Sequence, residues 1–477
     1  NAKMGKVEAS MDTLFASADN LSGNYTLSPS RRNSENDENS FALSTNGIKL
    51  LAGESYEINS EVAKLSGRFD YDSTINNIIV KWNPNVNIYM KNADIQMKND
   101  SLEFAVNNLK SNLKPEVFSI SDSEFKVGSS VFELDGYLYD LDGFIEKTTL
   151  LTGEFNFVSP HTDLNELMWY VNKFAGDSDS TLVDDVDIQY VKNDVGGESV
   201  VEEQELAEPF MVPLGVDLSL NTNIENLIYD DLVIEDLGGK IFIKDSVMVL
   251  DQMAFTSNAA RMQLTALYRT PRSNHLFAGV DFHLLDISVE ELIGIIPYVD
   301  TIVPMLKSFA GKGEFHFAFE TYMKSDYTPK MSTLKGAAAF NGQDLVVLDN
   351  ETFSTIAKVL QFDKKSENKI DSLSVEMTIF RNEIDVYPFM ISMDKYSAII
   401  GGRHNLDMSF DYNISIMDPV LLRIGVDVKG RIGDLKFVPT TRKYKDLYRP
   451  EKQNVVMNRT LELKNLINES LRRNVKY

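Results

Sequence analysis

Chemistry in this 477-residue chain would have to come from five histidines and a large excess of carboxylates, because there is no cysteine. That absence removes disulfides, thiolate metal sites and cysteine nucleophiles together. His161, His275, His283, His316 and His404 are scattered; no two stand at i and i+4 and no HExxH is present, so the helical zinc pair is excluded. His316 alternates with Phe315 and Phe317, which predicts a solvated histidine on the polar side of a strand. There is no G-x-S-x-G elbow, P-loop or GxGxxG. With 71 Asp and Glu, any one carboxylate pair is weak ground for acid–base work. The clusters Asp177-Ser-Asp179 and Asp184-Asp-Val-Asp187 suggest a calcium loop, but no Gly and terminal Glu follow at EF-hand offsets. The expectation is a protein that is not an enzyme, with no catalytic residue, metal or cofactor.

The elements that would position any site are strands. Aromatic residues make up 10% of the chain, with 27 Phe and 19 Tyr, and favour sheet over helix bundle. In Leu373, Val375, Met377 and Ile379 large apolar side chains alternate with polar ones, and in Gly313-Glu-Phe-His-Phe-Ala-Phe319 three Phe fall on one side. Such alternation marks a strand that buries one face. Ile241, Ile243, Val247 and Val249 alternate around the turn Lys244-Asp-Ser246. A spacing also recurs in which an apolar residue is followed nine positions later by another and two further by a small one. It reads Tyr56, Leu65, Gly67; Phe125, Leu134, Gly136; Phe255, Leu264, Ala266; Ile391, Ile400, Gly402. Each copy is expected to be a β-hairpin, although any meander of hairpins produces such spacings by chance.

Helices are expected at few places. Asp163 caps a segment running to Phe174 with Leu164, Leu167, Met168, Val171 and Phe174 on one face. Ser288 and Glu291 form a capping box before an apolar run that ends at Pro297. Short helices are predicted around Met11–Ala18 and over Phe353–Leu360, and a longer one from Val455 to Arg472. These would plug a groove or cover a sheet edge.

The predicted organisation is a flexible N-terminal segment (1–40), a β-rich half (41–175), an acidic linker or insertion (176–208), a second β-rich half (209–439) and a basic, partly helical tail (440–477). The linker carries eleven Asp or Glu against one Lys, so it repels itself. The tail carries ten Lys or Arg against four Asp or Glu. The net charge of −24 argues against nucleic acid as a partner, since phosphate affinity comes from Lys and Arg. No run of 18 uncharged apolar residues exists; the stretch Ile287–Leu306 carries Glu290, Glu291 and Asp300.

The order of parts from Leu334 to Pro419 resembles the C-terminal region of the AsmA-like family. A small-residue strand, Leu334-Lys-Gly-Ala-Ala-Ala-Phe340, leads through Leu345-Val-Val-Leu348 and the segment Phe353–Leu360 to the alternating strand at 373–379. Ile399-Ile-Gly-Gly402 then closes into Met408–Ile416. The likeness is strongest over 209–438 and rests on pattern and order, with no catalytic motif. It implies a mostly β fold of large twisted antiparallel sheets built of repeated hairpins, with a few capping helices, open as a groove for lipid in a bacterial envelope. It also implies a periplasmic location and a membrane anchor, which the chain as given does not carry. Phe315, Phe317, Phe319, Leu373, Val375, Met377 and Ile379 are the lipid-groove candidates. The expected partner is phospholipid or another acyl-chain lipid, in transport between membranes or in outer-membrane assembly. The other reading is a structural or assembly protein of the envelope with a protein partner and no lipid. A sealed core and an open groove need the same alternation, so the sequence leaves both open.

Overall fold

A computed structural model describes residues 1–11, 14–27, 39–52, 56–71, 74–97, 104–168, 209–230, 232–257, 260–289, 309–347, 369–393, 396–418, 423–431, 434–444 and 454–472. The fold is mostly β, as the alternation and aromatic content predict: among the described residues, one sheet of 23 strands with four helices. It runs from β1 (Ala2–Met11) and β2 (Leu14–Leu27) to β22 (Ile424–Arg431) and β23 (Asp434–Thr441). Neighbours along the chain are neighbours in the sheet and pair antiparallel. β3 (Asn39–Thr45) and β4 (Gly47–Ala52) together fill one position between β2 and β5 (Tyr56–Phe69). Among the described residues the one parallel pair is β10 (Leu151–Asp163) with β11 (Val216–Tyr229). It joins the two predicted halves into a single sheet, and the acidic segment between them lies outside the described residues.

Mid-strand breaks in regular pairing recur across the sheet, several of them bulges at which the register shifts. Asn20, Asn92, Asp122, Asp236, Gln252, Asp286 and Asp344 have φ between 45 and 57°. Six of these seven are Asn or Asp, the side chains that best tolerate left-handed backbone. Each bulge slips the alternation by one residue. In β15 (Leu276–Ser288), Leu284 is followed on the same face by Ile287 because Asp286 is extra. In β17 (Lys335–Val347), Phe340 and Leu345 share a face across Asp344. Bulges bend and twist a strand without exchanging its two faces.

The apolar residues of that face form linked clusters. The largest joins β14 (Arg261–Arg269) through β19 (Glu383–Met393), with Met262, Leu284, Phe315, Phe340, Met377 and Phe389 buried. Phe255 ties it to a cluster on Ile224, Leu227 and Ile234. Ile400 and Tyr412 tie it to Ile414, Val426 and Val428. On the opposite face the long helix Val455–Arg472, predicted with these limits, covers Val247, Val249, Leu267 and Phe277 with Leu463 and Ile467. Val247 and Val249 thus face away from Ile241 and Ile243. In the turn between them, Asp245 and Ser246 have φ of 42 and 62°, the backbone of a tight two-residue hairpin.

Two further expectations are corrected. Where a helix is predicted around Met11–Ala18, Met11 ends β1 and residues 14–18 begin β2, because pairing such as Ala9 with Ala16 satisfies both backbones. Three copies of the recurring spacing are hairpins, but Tyr56, Leu65 and Gly67 lie on the single 14-residue strand β5. Asp163 does cap a helix: its Oδ1 accepts from Asn165 N at 2.9 Å, and residues 164–168 are helical. The rest of that segment, most of the Ser288 capping box and Phe353–Leu360 lie outside the described residues.

Candidate functional site

The seven residues singled out in the sequence lie on β16 (Phe309–Met323) and β18 (Lys369–Phe380), the two strands that flank β17. Phe315 pairs with Phe340 and then Val375; Phe317 with Ala338 and then Met377; Phe319 with Gly336 and then Ile379. The small residues of β17 are therefore the middle row, which lets large side chains on both flanks fold over them. A Cβ at Gly336 would lie 2.9 Å from Phe319 Cβ. Phe315, Leu373, Val375, Met377 and Ile379 are buried, between 1 and 5% exposed. Phe317 and Phe319 are partly buried and stack at 5.6 Å. This stretch is packed as a core.

The same face is more open in the first half of the chain. There the buried hydrophobic residues are Ala93, Ala105, Val106 and Val127 among the described residues; all others lie between Val212 and Ile467. Leu43 pairs with Leu65, which pairs with Ile88, and Leu43 is 44% exposed. Further along, Phe104, Phe125, Phe132 and Phe157 form a ring ladder across four strands with centroids 6.4, 5.6 and 4.9 Å apart, every ring only partly buried. At its end Leu167 packs on Val127 and Leu164 on Ile224 and Leu227. Gly136 is required beside this ladder: a Cβ there would lie 2.5 Å from Phe155 Cδ1. In the sequence Leu65, Phe125 and Gly136 stand out only as members of a recurring hairpin spacing, and neither Leu43 nor the ring ladder is among the lipid-groove candidates. Breaks in regular pairing at Asn92 and Asp122 disrupt their period-two signal, and interleaved Asn and Ser dilute it.

The histidines do not gather into a catalytic or metal site. His316 is not solvated: it lies on the polar side of its strand, but the C-terminal helix covers that side. Its Nε2 bonds Asp281 Oδ1 at 2.6 Å and is 3.5 Å from Thr460 Oγ1. His283 stacks on it at 4.7 Å and bonds Glu314. His404 is buried and bonds Tyr412 Oη at 2.8 Å; burial pushes the Tyr412 hydroxyl upward, holding it protonated. No group of three or more metal-ligating side chains occurs among the described residues. No helix there is long and apolar enough to cross a membrane.

Against known proteins, the chain matches no family model, no curated sequence and no solved structure.

Proposed function

We propose that this protein is a non-enzymatic carrier that holds lipid acyl chains on the apolar face of its long sheet. The observation that carries the reading is the incompletely covered apolar face of the first half, from Leu43 and Leu65 to the phenylalanine ladder. Soluble proteins seldom leave contiguous apolar surface open unless something binds there. The ligand is placed on this half, with Phe315, Leu373, Val375, Met377 and Ile379 acting as the core that holds the second half rigid. The resemblance to the AsmA-like family supports a periplasmic setting, membrane attachment and a role in phospholipid transport or outer-membrane assembly. Mass spectrometry of organic extracts tests it: wild type should release phospholipid, and Leu43→Asp with Leu65→Asp should release much less at an unchanged melting temperature.

The close packing around Met377 favours a second reading, a structural or assembly protein of the envelope with a protein partner. Wild-type protein free of lipid would sink the carrier and leave this one.

A further inference from the structure

Two single-turn helices stand side by side at one end of the strands, and their exposed residues are apolar. Helix α1 is Ile78–Trp82 and helix α2 is Leu141–Ile145. Buried Asn77 joins them: its Oδ1 accepts from Ile79 N and Val80 N, and its Nδ2 donates to Asp142 O at 2.9 Å. Ile78 is 63% exposed, Trp82 45%, Phe144 38%, Ile145 47% and neighbouring Tyr71 52%. A surface helix ordinarily turns such residues inward.

We propose that this patch docks on the interface of a zwitterionic phospholipid bilayer. Trp and Tyr carry an apolar body and a polar tip, the chemistry of the headgroup boundary. Tyr71 and Trp82 are packed 4.8 Å apart, with Lys81 Nζ 5.5 Å from the Tyr71 ring. Charges here come close to balance, Lys81 and Lys147 against Asp140, Asp142 and Glu146, on a chain whose net charge is −24. An otherwise acidic body therefore meets a neutral surface at this point with little repulsion. The patch also continues inward. Trp82 lies 5.4 Å from Phe69, Phe69 lies 6.0 Å from Phe41, and Phe41 shares its strand face with Leu43. This ring path would lead acyl chains from the bilayer to the open face, so the purpose of the patch rests on the carrier reading, although its docking does not.

The test uses the full chain and vesicles of phosphatidylcholine. A Trp169→Phe background leaves Trp82 as the single tryptophan. Its emission should shift to the blue on adding vesicles and be quenched by brominated phosphatidylcholine. Ile78→Ser with Phe144→Ser should cut co-flotation by about tenfold or more, while Val438→Ser, exposed on the distant strand β23, should leave it unchanged. Circular dichroism confirms that each variant is folded. Emission from Trp82 that ignores the vesicles would overturn the proposal, as would flotation indifferent to the double variant. So would a double variant that instead abolishes self-association, since the patch would then be a protein interface. Extracts report separately on the carrier: loss of flotation with lipid content retained separates the docking site from the binding face.

Discussion

His316 Nε2 and Asp281 Oδ1 lie 2.6 Å apart on neighbouring strands beneath the C-terminal helix, with side chains only 18 and 15% exposed. A carboxylate this sheltered needs its donor, because an unsatisfied buried acceptor keeps its full desolvation penalty. His316→Phe is therefore expected to lower unfolding free energy by about 1–3 kcal/mol. Adding Asp281→Asn should recover part of that loss. Urea titrations of the two single variants and the double variant give the coupling; strict additivity would mean that the pair contributes nothing.

The N-terminus of that helix rests on Glu376, whose carboxylate accepts from Val455 N–H while its Oε2 is buried without a partner. Burial pushes this carboxyl above its ordinary range, against the opposing pull of the Val455 N–H. A raised value in the folded state means that folding takes up a proton. The contribution to stability is then fullest at acid pH and is lost as pH rises through the raised value. Glu376→Gln should raise the melting temperature relative to wild type near pH 8 but not near pH 4, about the ordinary carboxylate range. Parallel pH profiles for the two proteins would refute this.

Docking of the helix on the sheet is mainly apolar. Leu463 Cδ1 reaches so close to Gly279 that a Cβ there would lie 2.6 Å away. Leu463→Ala is expected to cost about 2–5 kcal/mol, and Gly279→Val should displace the helix without removing any of its contacts by truncation. Hydrogen exchange over residues 455–472 reads both; full protection in either variant would mean that the helix is held elsewhere.

The packed second half and the open first half should answer a charge differently. Ile379→Asp places an unpaired carboxylate in a core position 5% exposed and should prevent folding of that half. Leu43→Asp should leave the thermal transition within a few degrees of wild type. Equal destabilisation by the two would mean that the first half is sealed as well.

Asn92 sits in mid-strand with φ of 47°, its Nδ2 2.7 Å from Glu61 Oε2. A β-branched residue there meets the left-handed penalty, so Asn92→Val should cost about 1–2 kcal/mol, and Asn92→Gly far less. Similar melting temperatures for the two would show that the backbone relaxes.

Period-two alternation at Phe315–Phe319 and at Leu373–Ile379 was enough to give strands, their faces and a mostly β fold, because local sterics fix side-chain direction along an extended chain. The limits of the C-terminal helix were legible for a similar reason, since its apolar positions repeat with helical period from Val456 to Leu471. Which apolar rows are sealed was not legible. Burial at Met377 depends on Phe317 and Ala338, which lie on other strands, and Leu43 has the same local pattern with a different outcome. His316 read as solvated because the helix that covers it arrives from 144 residues away in sequence. The break in alternation at Asp286 is written in the sequence. Its meaning is tertiary: only pairing with β16 shows that the slip keeps Leu284 and Ile287 on one face and bends the sheet there.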